Sequence, residues 1–342
     1  MKPLLRDLSR EELEGTALEL GAKAFQARSL YDWVWRRGAR SFATVTDLPA
    51  AVRTALDERL QLTAGQVVER SLSTDGTSKL LLELADGETV EMVLIPDRDR
   101  HTLCVSSQVG CPVACVFCAS GLDGVRRNLT SAEIVEQFLI AREELGSASL
   151  TNLVVMGLGE PLLNFDALID ALTRISDPEG FAFSARRITV STSGYPDRIR
   201  KLAGLERPWN LAVSLHAAEE GLRKELVPTA TTAPAALVAA ATYYLRTTGR
   251  KPTYEIVLLA GRNDRAKDAD ALVRLLRGVR CTVNLIPWNN VEGVSLDLAR
   301  PADDAVESFR ARLERGGLNV TWRRRRGHDR DAACGQLRLR QP

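Results

Sequence analysis

The sequence predicts an α/β protein whose core is an open six-unit (β/α) partial barrel, with a small N-terminal helical module and a β-hairpin extension. Three patterns predict it: helical periodicity over the first 60 residues, period-two alternation from Val67 to Ile95, and apolar runs that alternate with helical patterns after Leu103. The 342 residues are 45% hydrophobic and 26% charged. This composition argues against disorder and suffices for one large domain, or for one large and one small domain.

The N-terminal module, expected at residues 1–60, is predicted to be helical. Ser9 and Glu12 have the spacing of a capping box that begins a first helix. A second helix runs from Phe25 to Trp35, and Gly38 ends it. The aromatic residues of this second helix lie among arginines, so they could grip nucleic acid or simply form the core.

The extension is predicted to be a β-hairpin. Ser78–Leu84 and Glu88–Leu94 alternate as strands do, and Ala85–Gly87 between them is a turn signal. We therefore expect a β-hairpin linker at residues 61–98, followed by the core domain at residues 99–342.

The barrel is predicted from buried apolar strands that alternate with helices, a pattern that specifies a parallel sheet with right-handed crossovers. Six units are too few for a closed eight-unit TIM barrel, so an open partial TIM barrel is expected, with its active site at the carboxyl ends of the strands. The predicted strands are 103–107, 153–157, 187–192, 210–215, 254–259 and 281–286. The predicted helices are 131–145, 165–175, 198–202, 234–246, 266–276 and 302–315.

The role expected of the six cysteines depends on whether the protein lies in a reducing or an oxidising compartment. No window holds eighteen uninterrupted apolar residues, and the stretch from Met1 to Asp7 lacks the apolar core of a signal peptide. We therefore expect a cytoplasmic protein without a membrane partner, whose thiols are kept reduced. Six cysteines in that compartment are expected to be metal ligands or reactive thiols rather than structural disulfides.

Positive charge concentrates near the end of the chain. Between Arg310 and Arg340 there are ten arginines and three acids, and Arg323–Arg326 are consecutive arginines at the end of a strand predicted at 319–322. Such a cluster suggests RNA or DNA phosphates, and a solvated strand end is the equally simple interpretation.

Three cysteines follow the first predicted barrel strand. Cys111, Cys115 and Cys118 are spaced so that one loop can wrap a metal centre, and three thiolates leave one position open. A structural zinc site needs four ligands, and the nearest further donors, His101 and Cys104, both precede the loop in an extended stretch. The spacing therefore favours a 4Fe–4S cluster with one iron free, and a zinc site is the alternative.

The neighbouring residues resemble one family. The chain is similar to the RlmN/Cfr family of radical S-adenosylmethionine (SAM) RNA adenine methyltransferases, and the resemblance covers essentially the whole chain. The segments that carry it are Cys104–Cys111, Arg127–Thr130, Met156–Leu162, Ser191–Gly194, Ser214–Ala217, Asn284–Asn289 and Asp331–Leu337.

The resemblance implies the cofactor sites. Cys111, Cys115 and Cys118 would hold one 4Fe–4S cluster, and the amino and carboxylate groups of SAM would occupy its fourth iron. The residues that would contact SAM, which follow successive strands, are Gly159, Glu160, Ser191, Ser214, Leu215, His216 and Asn289.

The resemblance also implies the reaction. Cys334 would take a methyl group from one SAM, and a second SAM would yield a 5′-deoxyadenosyl radical that removes a hydrogen atom from this methyl group. The resulting carbon radical adds to the adenine, Glu91 removes the ring proton, and Cys104 attacks Cys334 to release the RNA, which leaves a transient disulfide. The implied substrates are adenosine 2503 of 23S ribosomal RNA and adenosine 37 of transfer RNA.

Without the resemblance, three of these residues have plainer interpretations. Period two alone makes Glu91 a solvated strand residue, Cys104 a buried inert thiol, and His216 a hydrogen-bonded core histidine. Cys281 begins a buried strand and is assigned no role.

Three alternatives stay open beside C2 methylation. The C8-methylating branch of the family would use the same residues, and another radical SAM activity would leave Cys334, Cys104 and Glu91 unexplained. A zinc-bearing RNA-binding module that uses the three clustered cysteines and the arginine run is the alternative that is not an enzyme. The family's chemistry also requires an electron donor such as flavodoxin, and we expect a monomer.

Overall fold

The computed structural model describes residues 2–291, 293–294, 297–323 and 326–338. Ten α-helices lie in this part of the chain, and the first three form the N-terminal module. None of them is long and apolar enough to cross a membrane. The helices are α1 (Arg10–Glu19), α2 (Ala24–Tyr31), α3 (Ala50–Arg59), α4 (Ser131–Leu145), α5 (Phe165–Ile175), α6 (Pro196–Ala203), α7 (Glu220–Leu226), α8 (Pro234–Thr248), α9 (Ala266–Leu275) and α10 (Asp303–Arg315).

Twelve strands lie in the same part of the chain. Ten of them form one sheet in the order β1-β2-β3-β4-β7-β8-β9-β10-β11-β12, and β5 pairs with β6 in a separate small sheet. The strands are β1 (Gly65–Leu72), β2 (Ser78–Leu84), β3 (Thr89–Asp97), β4 (Arg100–Val105), β5 (Gln108–Gly110), β6 (Val125–Asn128), β7 (Asn152–Val155), β8 (Ile188–Thr192), β9 (Asn210–Ser214), β10 (Thr253–Leu258), β11 (Thr282–Pro287) and β12 (Val320–Trp322).

The predicted partial barrel is confirmed. From β4 to β12 every neighbouring pair of strands in the sheet is parallel, and at least one helix lies between successive strands of this series. The six predicted barrel strands correspond to β4 and β7 to β11. The strand expected at 319–322 adds a seventh parallel strand beside β11. The capping box at Thr130 and Glu133 shows how the sequence begins α4, because each side chain accepts a hydrogen bond from the other residue's backbone N–H.

The extension has one strand more than the predicted hairpin. The turn before Glu88 forms as expected, with Gly87 at a φ of 84°. β1 pairs antiparallel with β2, and β3 pairs antiparallel with β4, so the extension continues the barrel sheet. β1 escapes prediction because it is an edge strand with mostly exposed side chains, which leaves it without an apolar period.

The segment after β12 crosses back to the extension. Arg326 pairs with Asp97 at 3.1 Å, and the backbone N–H of Gly327 donates to Asp75 at 3.0 Å. Asp329 accepts from the backbone N–H of Thr74 at 3.1 Å. These contacts span the open side of the barrel between its last parallel strand and the antiparallel extension.

The N-terminal module is joined to the barrel by buried charge. Arg6 is 1% exposed, and its guanidinium lies 3.6 Å from the carboxylate of Glu136, a fully buried residue of α4 that also contacts Arg40 at 2.9 Å. Arg6 also donates to the backbone carbonyls of Leu62 and Ala39. Burial lowers the pKa of Arg6 to about 10, which leaves it charged at neutral pH.

Three aromatic residues of the second helix region have partners within the chain, whereas Phe25 is exposed. Trp35 is 1% exposed and meets Phe181 of the barrel domain edge-on, at 5.8 Å between ring centroids. The hydroxyl of Tyr31 donates to Asp177 at 2.7 Å. Arg37 lies over the ring of Trp33 at 4.2 Å. Trp35 is therefore a core residue.

Replacing Arg6 by Met should lower the free energy of unfolding by about 3 kcal/mol, because a buried carboxylate then loses part of its compensation. The matched control is Arg10→Met, which removes exposed ion pairs with Glu14 and Glu179 and should cost at most about 1 kcal/mol. Urea unfolding monitored by circular dichroism measures both. Equal losses in the two variants would contradict a buried charge link.

Candidate active site

The cysteine loop is closed at its base by β5 and β6, which pair antiparallel. Gly110 at the end of β5 has a φ of 80°, and a Cβ atom there would lie 2.1 Å from the carbonyl oxygen of Gly124. Only glycine permits this approach, and it lets the backbone N–H of Cys111 donate to that same carbonyl at 2.8 Å. A turn follows, in which the N–H of Cys118 donates to the carbonyl of Cys115 at 3.1 Å.

The three clustered cysteines lie in apolar surroundings. Burial raises the pKa of Cys111 to about 12, and it also raises the pKa of Cys115 and of Cys118. Without a metal, these thiols are neutral at physiological pH, whereas coordination to a metal removes the proton from a thiol. Arg223 of α7 lies within electrostatic range of Cys115 and places a buried positive charge beside the loop.

An open cavity of about 970 Å³, counted to its mouth, lies at the carboxyl ends of β7 to β11. This is the end of the barrel at which the sequence predicts the active site. The predicted site residues that line the cavity are Cys111, Cys115, Cys118, Gly159, Glu160, Ser191, Ser214, His216, Asn289 and Cys334. The other predicted site residues, Glu91, Cys104 and Leu215, are not part of this lining.

Glu160 ties two strand ends together beneath the cavity. The residue is 2% exposed, and its carboxylate accepts hydrogen bonds from the backbone N–H groups of Leu162 at 3.0 Å and Ser193 at 2.7 Å. Its own N–H donates to Gln108 at 2.7 Å, which connects this loop to β5. Burial raises the pKa of the Glu160 carboxyl. Gly159 allows the close approach, because its φ is 107° and a Cβ atom would lie 2.7 Å from Ser107.

His216 is held as a neutral ring on the cavity wall. Its Nδ1 accepts a hydrogen bond from the N–H of Val257 at 3.2 Å, and its ring meets Phe117 edge-on at 4.8 Å. Burial lowers the pKa of His216 to about 3. The neighbouring Leu215 is fully buried in the hydrophobic core, and its N–H donates to the carbonyl of Glu255. Its own carbonyl accepts from the N–H of Ala217 at 2.7 Å, so the structure does not bring Leu215 to the cavity with the other predicted cofactor contacts.

The segment that carries Cys334 is fastened to the cysteine loop. The carbonyl of Gly335 accepts from the N–H of Ala119 at 2.8 Å, and the carbonyl of Leu337 accepts from the hydroxyl of Ser120 at 2.7 Å. Asn289 donates to the carbonyl of Cys334 itself at 3.1 Å. These bonds position Cys334 at the edge of the large cavity.

Cys104 and Cys334 line a second, smaller cavity of about 270 Å³. The two predicted catalytic cysteines are therefore brought together, although 230 residues separate them in the chain. Burial raises the pKa of Cys104 to about 12 and also raises the pKa of Cys334. Arg323 lines the same cavity, and its positive charge opposes both shifts.

The two described arginines of the run have partners within the chain. Arg323 lines the cavity of the two cysteines, and Arg326 forms a partly exposed ion pair with Asp97. Arg324 and Arg325 lie outside the described residues.

Glu91 is buried rather than solvated, which corrects the interpretation from period two alone. The residue is 1% exposed, and its carboxylate pairs with Lys79 at 3.0 Å and accepts from the backbone N–H of Arg338 at 2.9 Å. It lines a third cavity of about 360 Å³ on the other side of the Cys334 segment. Glu88, three residues earlier, pairs instead with the partly exposed Arg126 at 2.7 Å.

Several charged residues near the site escaped the sequence interpretation. Glu255 lines the large cavity from within β10, and Asn284 donates to its carboxylate at 2.7 Å. A lone acid inside an otherwise apolar strand is the signal that could have found it. Lys79 and Arg323 gave no such signal, because each continues a pattern typical of solvated residues.

The site has unsatisfied polar atoms that a ligand could use. The Oδ1 atom of Asn289 is buried at the large cavity and has no hydrogen-bond partner in the described part of the chain, and the same holds for Nε and Nη1 of Arg223 near Cys115. No three His, Cys, Asp or Glu side chains among the described residues are close enough to share one metal ion. In a 4Fe–4S cluster each cysteine binds a different iron, so its ligands need not converge on one point. The three thiols and the buried cation beside them fit such a cluster.

Known proteins resemble both parts of the chain. Residues 105–275 match the model of the radical SAM superfamily, and residues 4–62 match that of the ribosomal RNA large subunit methyltransferase N-terminal domain. A dual-specificity RNA methyltransferase RlmN of Syntrophobacter fumaroxidans is 45% identical over 340 residues, which cover 98% of each chain. A crystal structure of a radical SAM methyltransferase from Sphaerobacter thermophilus superposes with a TM-score of 0.93 at 42% identity, over 98% of this chain and 99% of that chain.

The partial barrel, with three cysteines at the carboxyl ends of its strands, is that of a radical SAM enzyme, and the superfamily match agrees. Identity over nearly the full length of both chains defines the family within that class. The chain belongs to the RlmN family of dual-specificity RNA methyltransferases.

Proposed function

We propose that this chain methylates carbon 2 of an adenine, at adenosine 2503 of 23S ribosomal RNA and at adenosine 37 of transfer RNA, through a methyl group carried on Cys334. One observation carries the proposal. Cys334 lines both the large cavity with the three clustered cysteines and the small cavity with Cys104. A sulfur in that position is able to exchange groups with SAM on one side and with a second thiol on the other.

Cys111, Cys115 and Cys118 are the residues that would hold a 4Fe–4S cluster. Arg223 would then offset the negative charge of the thiolates. When bound, the cluster supplies the electron that cleaves SAM reductively. We further propose that the predicted contacts that line the large cavity hold SAM at this end of the barrel, namely Gly159, Glu160, Ser191, Ser214, His216 and Asn289. Leu215, which lies between Ser214 and His216, is proposed with them.

Cys334 serves first as a nucleophile and then as a carrier. Its sulfur takes the methyl group from one SAM, which requires the thiolate. Arg323 favours that form in a cavity whose burial opposes it. After the 5′-deoxyadenosyl radical takes a hydrogen atom from the S-methyl group, the carbon forms a bond to C2 of the adenine, which joins protein and RNA covalently. The adduct then gives up its unpaired electron, for which the oxidised cluster held by Cys111, Cys115 and Cys118 would be the acceptor.

Glu91 and Cys104 complete the reaction. We assign removal of the C2 proton to Glu91, a buried acid whose carboxylate accepts a hydrogen bond from the backbone of the segment that carries Cys334. Cys104 then attacks the sulfur of Cys334, so that a disulfide forms as the carbon–sulfur bond breaks. The carbon released from the sulfur takes up a proton and becomes the methyl group of the product.

The first test locates the methyl group. The reconstituted chain, incubated anaerobically with SAM, a reductant and fragments of 23S ribosomal RNA or transfer RNA, should yield 2-methyladenosine in nuclease digests analysed by mass spectrometry. 8-Methyladenosine would favour the C8-methylating branch of the family instead. Absence of methyladenosine from both RNAs would contradict the proposal.

The second test measures the cluster. Anaerobically reconstituted protein should be brown and hold about four irons per chain, because three cysteines suffice for a cluster with one open iron. Replacing Cys111, Cys115 and Cys118 together by Ala should abolish both colour and iron. Cys281→Ala, which changes a buried thiol that precedes β11 and does not line the large cavity, is the control that should keep them. A colourless protein that holds zinc would support the binding-module alternative.

The third test separates the two thiols. Cys334→Ala should abolish methyl transfer, because the carrier is lost. Cys104→Ala should accumulate a protein–RNA crosslink, because the carbon–sulfur bond can no longer be broken by disulfide formation. A denaturing gel and mass spectrometry of the purified variants measure both outcomes. Cys104→Ala protein that turns over and remains free of RNA would contradict the assigned role.

The domain organisation and partners follow from the same proposal. We assign residues 1–60 to an RNA-binding accessory domain, residues 61–98 to a β-hairpin linker, and residues 99–342 to the catalytic core. The family match over residues 4–62 supports the first assignment. An electron donor such as flavodoxin, a monomeric state and a cytoplasmic location complete the proposal.

A further inference from the structure

A buried lysine holds the carboxylate that the proposed reaction uses as its base. The Nζ atom of Lys79 lies 3.0 Å from Glu91 Oε1, and the two side chains are 4% and 1% exposed. The register of the sheet explains why the side chains of Lys79 and Glu91 are in contact. Leu81 of β2 is directly opposite Glu91 of β3, so Lys79, two residues before Leu81, is a diagonal neighbour on the same face.

The second partner of Lys79 belongs to the segment that carries Cys334. Its ammonium group donates to the backbone carbonyl of Asp331 at 3.2 Å. The other oxygen of Glu91, Oε2, accepts from the N–H of Arg338 in the same segment at 2.9 Å. The carboxylate is therefore held from one side by Lys79, which also contacts the start of the segment, and from the other side by the end of the segment.

Burial determines what this arrangement does. An ionised carboxylate in a low-dielectric site is strongly disfavoured unless an opposite charge or hydrogen bonds compensate it. The charged groups that line the cavity beside Glu91 are Lys79 from β2 and Asp331 and Arg338 from the C-terminal segment. Among the described residues, Lys79 is in salt-bridge contact with Glu91, so its charge compensates the buried carboxylate.

We propose that Lys79 is a positioning residue of the reaction, which holds the Glu91 carboxylate in place against the Cys334 segment. The inference rests on the proposed role of Glu91 as the base. Lys79 itself does not contact the adenine. It acts at one step, the removal of the C2 proton, and leaves the earlier formation of the protein–RNA bond intact.

The experiment compares Lys79→Met with Lys79→Arg and Glu91→Gln. Each variant is reconstituted and given RNA and SAM, and the crosslinked and methylated RNA are followed over time on denaturing gels, with 5′-deoxyadenosine measured as a record of SAM cleavage. Lys79→Met should form the crosslink but resolve it at least about tenfold more slowly, because a base contributes about a hundredfold or more. Lys79→Arg, which keeps the charge, should resolve it within about threefold of the unmodified chain.

The charge-conserving variant separates positioning from folding. Lys79→Arg should restore resolution, whereas Glu91→Gln, which removes the proposed base, should stay slow. Lys201→Met is the matched control, since it removes a lysine from an exposed ion pair with Asp166 and should behave as the unmodified chain. If Lys79→Met fails to fold, Lys79→Gln gives the same measurement with a neutral donor for the Asp331 carbonyl.

Two different failures are distinguishable. If Glu91→Gln resolves the crosslink at the unmodified rate, the proposed base is wrong. If Glu91→Gln blocks resolution while Lys79→Met resolves the crosslink normally, the role of Glu91 survives and the inference about Lys79 is overturned. If Lys79→Arg resolves the crosslink as slowly as Lys79→Met does, the inference is also overturned, because that result indicates a structural role.

Discussion

The burial of charge inside an apolar barrel is the constraint on which this site depends. A carboxylate removed from water must be compensated by hydrogen bonds or by an opposite charge. Glu160 meets this requirement with two backbone N–H groups, Glu255 with Asn284, and Glu91 with Lys79. Each solution connects different strands or segments, so the contacts that make these charges tolerable also fix the positions of the strand ends that line the cavity.

Burial also determines the protonation of the thiols, but here it favours the neutral form, which needs no compensating charge. Apolar surroundings keep a cysteine protonated and unreactive, as the raised pKa values of Cys104 and Cys334 show. Reactivity therefore has to come from a nearby positive charge. Arg323 supplies it between the two predicted catalytic cysteines, while Arg223 does so beside the predicted metal ligands.

Features that depend on local periodicity and spacing could be predicted from the sequence. Burial that depends on a segment far away in the chain could not. The barrel strands and the cysteine loop were predictable, because an apolar run and a short cysteine spacing are properties of consecutive residues. The burial of Glu91 and Lys79 was not, because their face of the sheet alternates as a solvated face does. It is the segment around Asp331 and Arg338, more than 240 residues later, that covers them. The edge strand β1 was missed for a related reason, since an edge needs no apolar face.

The contacts of the C-terminal segment with the extension restrain the movement of Cys334. An open barrel has two unpaired sides, and here the gap is bridged by side-chain contacts from the chain just ahead of Cys334, through Arg326 to Asp97 and through Asp329 to Thr74. Because Cys334 follows these contacts in the same segment, its sulfur cannot move far from the large cavity unless the contacts to Asp97 and Thr74 break.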